Sequence, residues 1–106
     1  MFEALEVYLL FLERLVPVEA KIRRRSRALA DQLSEAADSV ALNMGEGRGR
    51  RGGNGRRHFD IAKGSAGEVT VALRVAVARQ YITCADRDYV DEPLDRVRAM
   101  LFKMTR

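Results

Sequence analysis

The chain has 106 residues, 47% of them hydrophobic and 32% charged, a balance that fits one folded domain and excludes a disordered tail. Its one cysteine, Cys84, and one histidine, His58, cannot assemble a soft-ligand zinc site or an internal disulfide, so neither metal nor cofactor is expected and a reducing compartment, the cytoplasm, is the natural setting. Lysine and arginine number 19 against 15 acids, a net charge of +4, and the placement of those charges matters more than their sum.

The longest apolar run, Val7 to Leu12, falls far short of the roughly 20 residues that a bilayer requires. Glu3 and Glu6 stand where a secretory signal would carry positive charge. In the first predicted helix Leu5, Leu9, Leu12 and Val16 recur at helical spacing, and Pro17 ends it or opens the next. From Pro17 to about Met44 a second, long helix carries Ile22, Leu29, Leu33, Ala36, Ala37, Val40 and Ala41 on one stripe. It is expected to stop in GEGRGRRGGNG, residues 45–55, where six of eleven positions are glycine and conformational entropy opposes regular structure.

A third helix is predicted from about Arg56 to Ile82, with Phe59, Ala62, Ala66, Val69, Leu73 and Ala76 in register. Strand is the competing reading for EVTVALRVAVA, and the length of the segment favours a buried helix. A fourth helix is expected to begin after the acidic run Asp86, Asp88, Asp91 and Glu92, whose carboxylates suit a helix N-terminus, with Pro93 near its start and Val90, Leu94, Val97, Leu101 and Met104 as its core face. Four such helices joined by short turns make an all-α, antiparallel up-down-up-down bundle in a single domain spanning residues 1–106. Val7, Leu10 and Phe11 lie off the main stripe of helix one, as Val71, Val75 and Ala78 do on helix three, and this surplus of apolar surface predicts self-association.

Residues 39–47, SVALNMGEG, followed after an Arg/Gly-rich turn by HFDIAKGSAGEV at 58–69, closely resemble the paired pattern of the four-helix-bundle intervening-sequence protein family. Its members are encoded within intervening sequences of large-subunit ribosomal RNA genes, and it includes the accessory variability determinant proteins of diversity-generating retroelements. The resemblance covers nearly the whole chain, although Ser34 and Glu35 stand where the family usually places arginines. It implies an antiparallel bundle, a homopentameric barrel, a basic surface that in the retroelement members engages nucleic acid and a reverse transcriptase, and no known enzymatic activity.

The residues of that pattern also have a packing reading. In an antiparallel pair Gly64 and Ser65 are expected to lie opposite Ala41 and Val40, small side chains meeting at a helix crossing, because a helical glycine otherwise costs about 1 kcal/mol. Gly67 invites the same reading, and Glu68 completes this structural group. Asn43, Glu46 and Gly47 are expected to close helix two, with Gly47 in a left-handed cap and the polar side chains on free backbone groups.

Catalytic motifs are weak. Gly47-Arg48-Gly49-Arg50-Arg51-Gly52 matches GxGxxG, but a dinucleotide fingerprint needs a preceding strand and a sheet. Lys63-Gly64-Ser65 echoes a phosphate loop from inside a helix. His58 lies about two turns before Ser65, too far for a direct hydrogen bond, so no nucleophile has a base and no enzyme is expected.

Charge is the informative feature. Residues 21–27, KIRRRSR, carry five positive charges, yet the predicted topology sets them beside the acidic run before helix four. The opposite end gathers Arg48, Arg50, Arg51, Arg56 and Arg57 of the glycine-rich turn with Arg96, Arg98, Lys103 and Arg106 of helix four, facing Glu3, Glu6 and Glu46, a surplus of about six positive charges. The first eight of these residues are the expected phosphate contacts of an oligomeric RNA- or DNA-binding accessory protein, little selective for base. No aromatic residue interleaves the basic turn, so the sequence offers no stacking platform there. The alternative function is a protein–protein adaptor or assembly scaffold, with a reverse transcriptase as one candidate partner.

Overall fold

Helix α1 runs unbroken from Glu3 to Arg25, past Pro17. The computed structural model describes residues 2–50 and 52–106 of the chain. Pro17 withholds one backbone donor from α1, but it is exposed, and the buried stripe continues in register across it through Phe11, Leu15, Val18 and Ile22. The apolar area those side chains bury outweighs an interior proline's cost of about 3 kcal/mol. The expected boundary at Pro17 is therefore displaced to Ser26, whose extended backbone forms the link and whose Oγ accepts from the Leu29 N–H at 3.1 Å.

The stripe that faces the core also differs from the expected one. Ala4, Val7, Tyr8, Phe11, Leu15, Val18 and Ile22 are buried, whereas Leu9 and Val16 are 40% and 68% exposed and Leu5 and Leu12 half-buried. Tyr8 makes the difference. Fully buried, it donates its hydroxyl to the Ala37 carbonyl at 2.7 Å, and burial beside Asp38 raises its pKa. A satisfied phenol counts as core.

Helix α2, Arg27–Gly49, and helix α3, Gly52–Ala78, leave a connection of Arg50 and residue 51. The expected glycine-rich loop is thus mostly helical, for a packing reason. A Cβ at Gly47 would lie 3.0 Å from the Phe59 ring and 3.1 Å from the Gly55 carbonyl, and one at Gly55 would lie 3.0 Å from the Arg50 carbonyl. These glycines bring two backbones together. Gly47 is buried within α2 and forms no left-handed cap, contrary to expectation. Among the described residues the left-handed one is Gln80, φ 63°, after α3, where Tyr81 N–H bonds to the Ala76 carbonyl at 2.8 Å and Gln80 N–H to that of Val77 at 2.9 Å.

Helix α4 spans Cys84–Thr105 and starts before the acidic run, so Pro93 sits buried in mid-helix. Its start is set by a capping box: Thr83 Oγ1 accepts from Asp86 N–H, and Asp86 Oδ2 accepts from Thr83 N–H, both at 3.0 Å. The four helices pack in ring order, α1 on α2 and α4, α3 on α2 and α4. Fully buried Phe11, Leu33, Met44, Val69, Leu73, Leu94 and Leu101 fill the centre. Ala62, Ala66, Val69, Leu73 and Ala76 of α3 are all buried, as their spacing predicts.

Candidate nucleic-acid interface

Helix order places the N-termini of α1 and α3 and the C-termini of α2 and α4 at one end of the bundle. That pole presents exposed Arg48 and Arg50 near the end of α2, Arg56 and Arg57 near the start of α3, and Lys103 and Arg106 at the end of α4. The facing acids are Glu3 and Glu6 in the first turn of α1 and Glu46 on α2. Arg51 lies outside the described residues.

The members of this cluster differ in how far they are engaged. Arg56 donates to the Thr105 carbonyl at 2.6 Å and so caps α4. The Arg48 guanidinium stands 5.3 Å over the Phe2 ring, itself edge-on to Phe59 at 6.1 Å. Arg50 pairs with Glu46 at 3.3 Å, but both side chains are more than half exposed, so the pair contributes little and opens readily to a competing anion. Among the described residues Arg57 has no ion pair.

Arg96 and Arg98 stand apart from the pole, roughly two turns or more back along α4. Arg96 pairs with Glu92 at 3.5 Å, and Glu92 also meets Arg14 at 3.5 Å. Arg98 borders a groove between α3 and α4 with Lys63, Gly64 and Phe102. Neither adds to the cluster at the helix ends, where the sequence reading placed them.

At the opposite end three cations are paired within the chain. Lys21 meets Asp86 at 2.9 Å, Arg23 meets Asp31 at 2.7 Å, and Arg87 meets Asp88 at 3.5 Å and Asp91 at 3.7 Å. Asp86 is held below its ordinary pKa, first by the Thr83 N–H and next by Lys21. Burial and the neighbouring Asp95 push Asp91 up. Exposed Arg24, Arg25 and Arg27 at this end have no carboxylate partner among the described residues, and at the basic pole Arg50 alone has one.

Beneath the basic pole a polar ladder crosses from α2 to α3. Ser39 Oγ lies 2.9 Å from Ser65 Oγ, Asn43 Nδ2 donates to the Ser39 carbonyl at 2.9 Å, and Asn43 Oδ1 faces His58 Nδ1 at 3.0 Å. Because Nδ2 is the donor to Ser39, Oδ1 must accept, which puts a proton on His58 Nδ1. His58 is thereby bound to an amide rather than aimed at a hydroxyl. Asn43 joins two helices instead of closing one, and Glu46 pairs with Arg50.

Ser65 meets Ser39, not Val40 or Ala41, while a Cβ at Gly64 or Gly67 would find nothing within 4 Å. The close approach expected at Gly64 belongs instead to Gly47 and Gly55. Glu68 is exposed on a groove between α2 and α3. The ladder had a faint trace in the sequence: Ser39 and Asn43 are one helical turn apart, and His58 and Ser65 two turns apart, so each pair shares a face.

The molecule is thus an antiparallel all-α four-helix bundle with cations pooled at one pole, and among the described residues no helix is long and apolar enough to cross a membrane. The chain belongs to the 23S rRNA-intervening sequence protein family, whose pattern it matches over residues 8–103. Its fold is similar to that in a 1.70 Å crystal structure of a protein with unknown function from the S23 ribosomal protein family of Bacteroides thetaiotaomicron VPI-5482. The two superpose with a TM-score of 0.88 at 16% identity, covering 97% of this chain and 98% of the other. No curated protein matches the chain.

Proposed function

We propose that the protein is a non-enzymatic, self-associating accessory protein that binds RNA or DNA in the cytoplasm through the phosphate backbone. The observation that carries this reading is the cluster of exposed cations at one end of the bundle, of which Arg50 alone pairs with a carboxylate among the described residues. Arg48, Arg50, Arg51 and Arg57, with Lys103, are the phosphate contacts, and Arg56 ties the start of α3 to the end of α4. Five-fold repetition, the assembly implied by the family resemblance, turns one weak site into a ring whose avidity exceeds any single contact. A ribosomal RNA segment is the partner that the family's description favours.

A salt titration tests the mechanism. Replacing Arg48, Arg50 and Arg51 with alanine lowers affinity for RNA and DNA duplexes and flattens the log-affinity against log-salt slope by about 2 to 3. An unchanged slope overturns it. A second reading, a scaffold that engages another protein such as a reverse transcriptase, draws on the exposed apolar side chains of Val16, Leu42 and Val71. It gains if the triple variant still binds nucleic acid normally.

A further inference from the structure

The groove between α3 and α4 has a composition that phosphate binding alone does not explain. It encloses about 490 Å³ and is lined by Asp60, Lys63, Gly64, Arg98, Ala99 and Phe102. Phe102 is 55% exposed although it lies on a helix whose neighbours pack into the core. The Lys63 ammonium stands 5.4 Å from its ring centroid and reaches on to Thr105 Oγ1 at 3.4 Å, in the last turn of α4. The groove is therefore continuous with the basic pole, which also holds the end of that helix.

Gly64 supplies an independent observation. It is exposed in the middle of α3, and a Cβ there would meet nothing within 4 Å. The fold therefore draws no packing benefit from a residue that costs a helix about 1 kcal/mol. What its missing side chain does leave is an open wall facing Phe102 across the groove.

We infer that this groove holds one unpaired base of a single-stranded RNA or DNA segment, stacked on Phe102, with its phosphates on Lys63 and Arg98. This deepens the phosphate-binding reading above and rests on it. Each part of the groove matches one part of a nucleotide. An exposed phenyl ring offers a flat apolar face to any base, and stacking of this kind is worth about 1 to 3 kcal/mol per base. Lys63, over the ring, and Arg98, one turn earlier on α4, supply charge for the flanking phosphates. The Asp60 carboxylate repels phosphate from its own wall and accepts from the amino or imino N–H groups of a base edge. A paired base cannot enter, because its faces are covered by its stacked neighbours. The groove thus adds a preference for single strands to a pole that by itself holds any polyanion.

Phe102 is exposed, so Phe102→Ala is expected to fold, with circular dichroism and the melting temperature as controls. Oligo-uridine, oligo-thymidine and a duplex of equal length are the probes, titrated at one salt concentration and then across a salt series. The expected result is a loss of about fivefold or more on both single strands, with duplex affinity and the salt slope unchanged. Gly64→Leu, which fills the groove without disturbing the core, gives the same loss.

The chain has no tryptophan, so Phe102→Trp introduces one selectively excited indole per chain, which a stacked base quenches. Equal single-strand affinity in Phe102→Ala, with the Arg48, Arg50 and Arg51 variant still impaired, overturns the groove and leaves the basic pole standing. An unquenched tryptophan in a bound complex also overturns it. A change in oligomer size in Phe102→Ala does so too, because the ring would then be a contact between copies. Absence of all nucleic-acid binding by the unaltered protein defeats both readings.

Discussion

Gly47 and Gly64 are both helical glycines, and the structure gives them opposite consequences. At Gly47 an added methyl group meets the Phe59 ring at 3.0 Å and the Gly55 carbonyl at 3.1 Å. The ring can tilt, but the carbonyl belongs to the backbone of α3 and cannot yield without separating the two helices. Gly47→Ala is expected to cost about 1 to 3 kcal/mol. Gly64→Ala, with nothing in reach, is expected to gain up to about 1 kcal/mol from helix propensity alone. Thermal melting followed by circular dichroism separates them: the first variant melts lower by several degrees and the second higher. If Gly47→Ala melts with the unaltered protein, the close crossing at the α2–α3 corner is wrong. The same crossing directs Arg48 and Arg50, so loss of nucleic-acid affinity should accompany the loss of stability.

At the scale of the helix, the start of α4 is a local device with a defined pH signature. Asp86 accepts from the Thr83 N–H and from Lys21, which together hold its carboxyl below its ordinary pKa. A carboxyl lowered by folding contributes stability that is fully present above its unfolded pKa and is lost as pH falls through the folded one. Asp86→Ala should therefore cost about 1 kcal/mol near neutrality. The gap should narrow in acid, below the ordinary carboxylate range. Asp91, raised by burial and Asp95, has the opposite sign and relaxes on acidification in both proteins, so it cancels from the difference. Urea unfolding at neutral and acid pH measures the gap, and one that stays constant with pH contradicts the linkage.

The same scale shows what the sequence disclosed. The register of α3 was legible because Ala62, Ala66, Val69, Leu73 and Ala76 hold one helical spacing over about four turns. The stripe of α1 was not, because a reading that follows leucine passes over Tyr8, whose hydroxyl finds Ala37 across the bundle. Pro17 and the glycines of residues 45–55 misled for one reason: local propensity predicts a break, and tertiary burial or close backbone contact outweighs it. The basic pole survived these errors, since it depends on the order of the helices rather than on where each begins. Arg96 and Arg98 were grouped with the pole because they share its helix, although about two turns or more separate them from the end of α4.

For the whole molecule, the unresolved demand is apolar surface. Val16 on α1, Leu42 on α2 and Val71 on α3 are 68%, 69% and 60% exposed, with Leu9, Ile61 and Val75 less so. Single exposed apolar residues are ordinary on a monomer, but here Leu5, Leu9, Leu12 and Val16 follow one another along α1 at helical spacing, and Val71 and Val75 do so on α3. In the self-association proposed above, these two faces would be the contacts, and unlike faces that meet in a constant rotation close into a ring. Light scattering is expected to return a mass several times the 11.9 kDa of one chain. Val16→Glu and Val71→Glu should each lower that mass, and neither should alter helicity, since both side chains already face water. Loss of the ring should also weaken nucleic-acid binding at unchanged contacts, because avidity disappears with it. An unaltered protein that stays monomeric as it is concentrated refutes the ring, and with it the avidity on which tight phosphate binding depends.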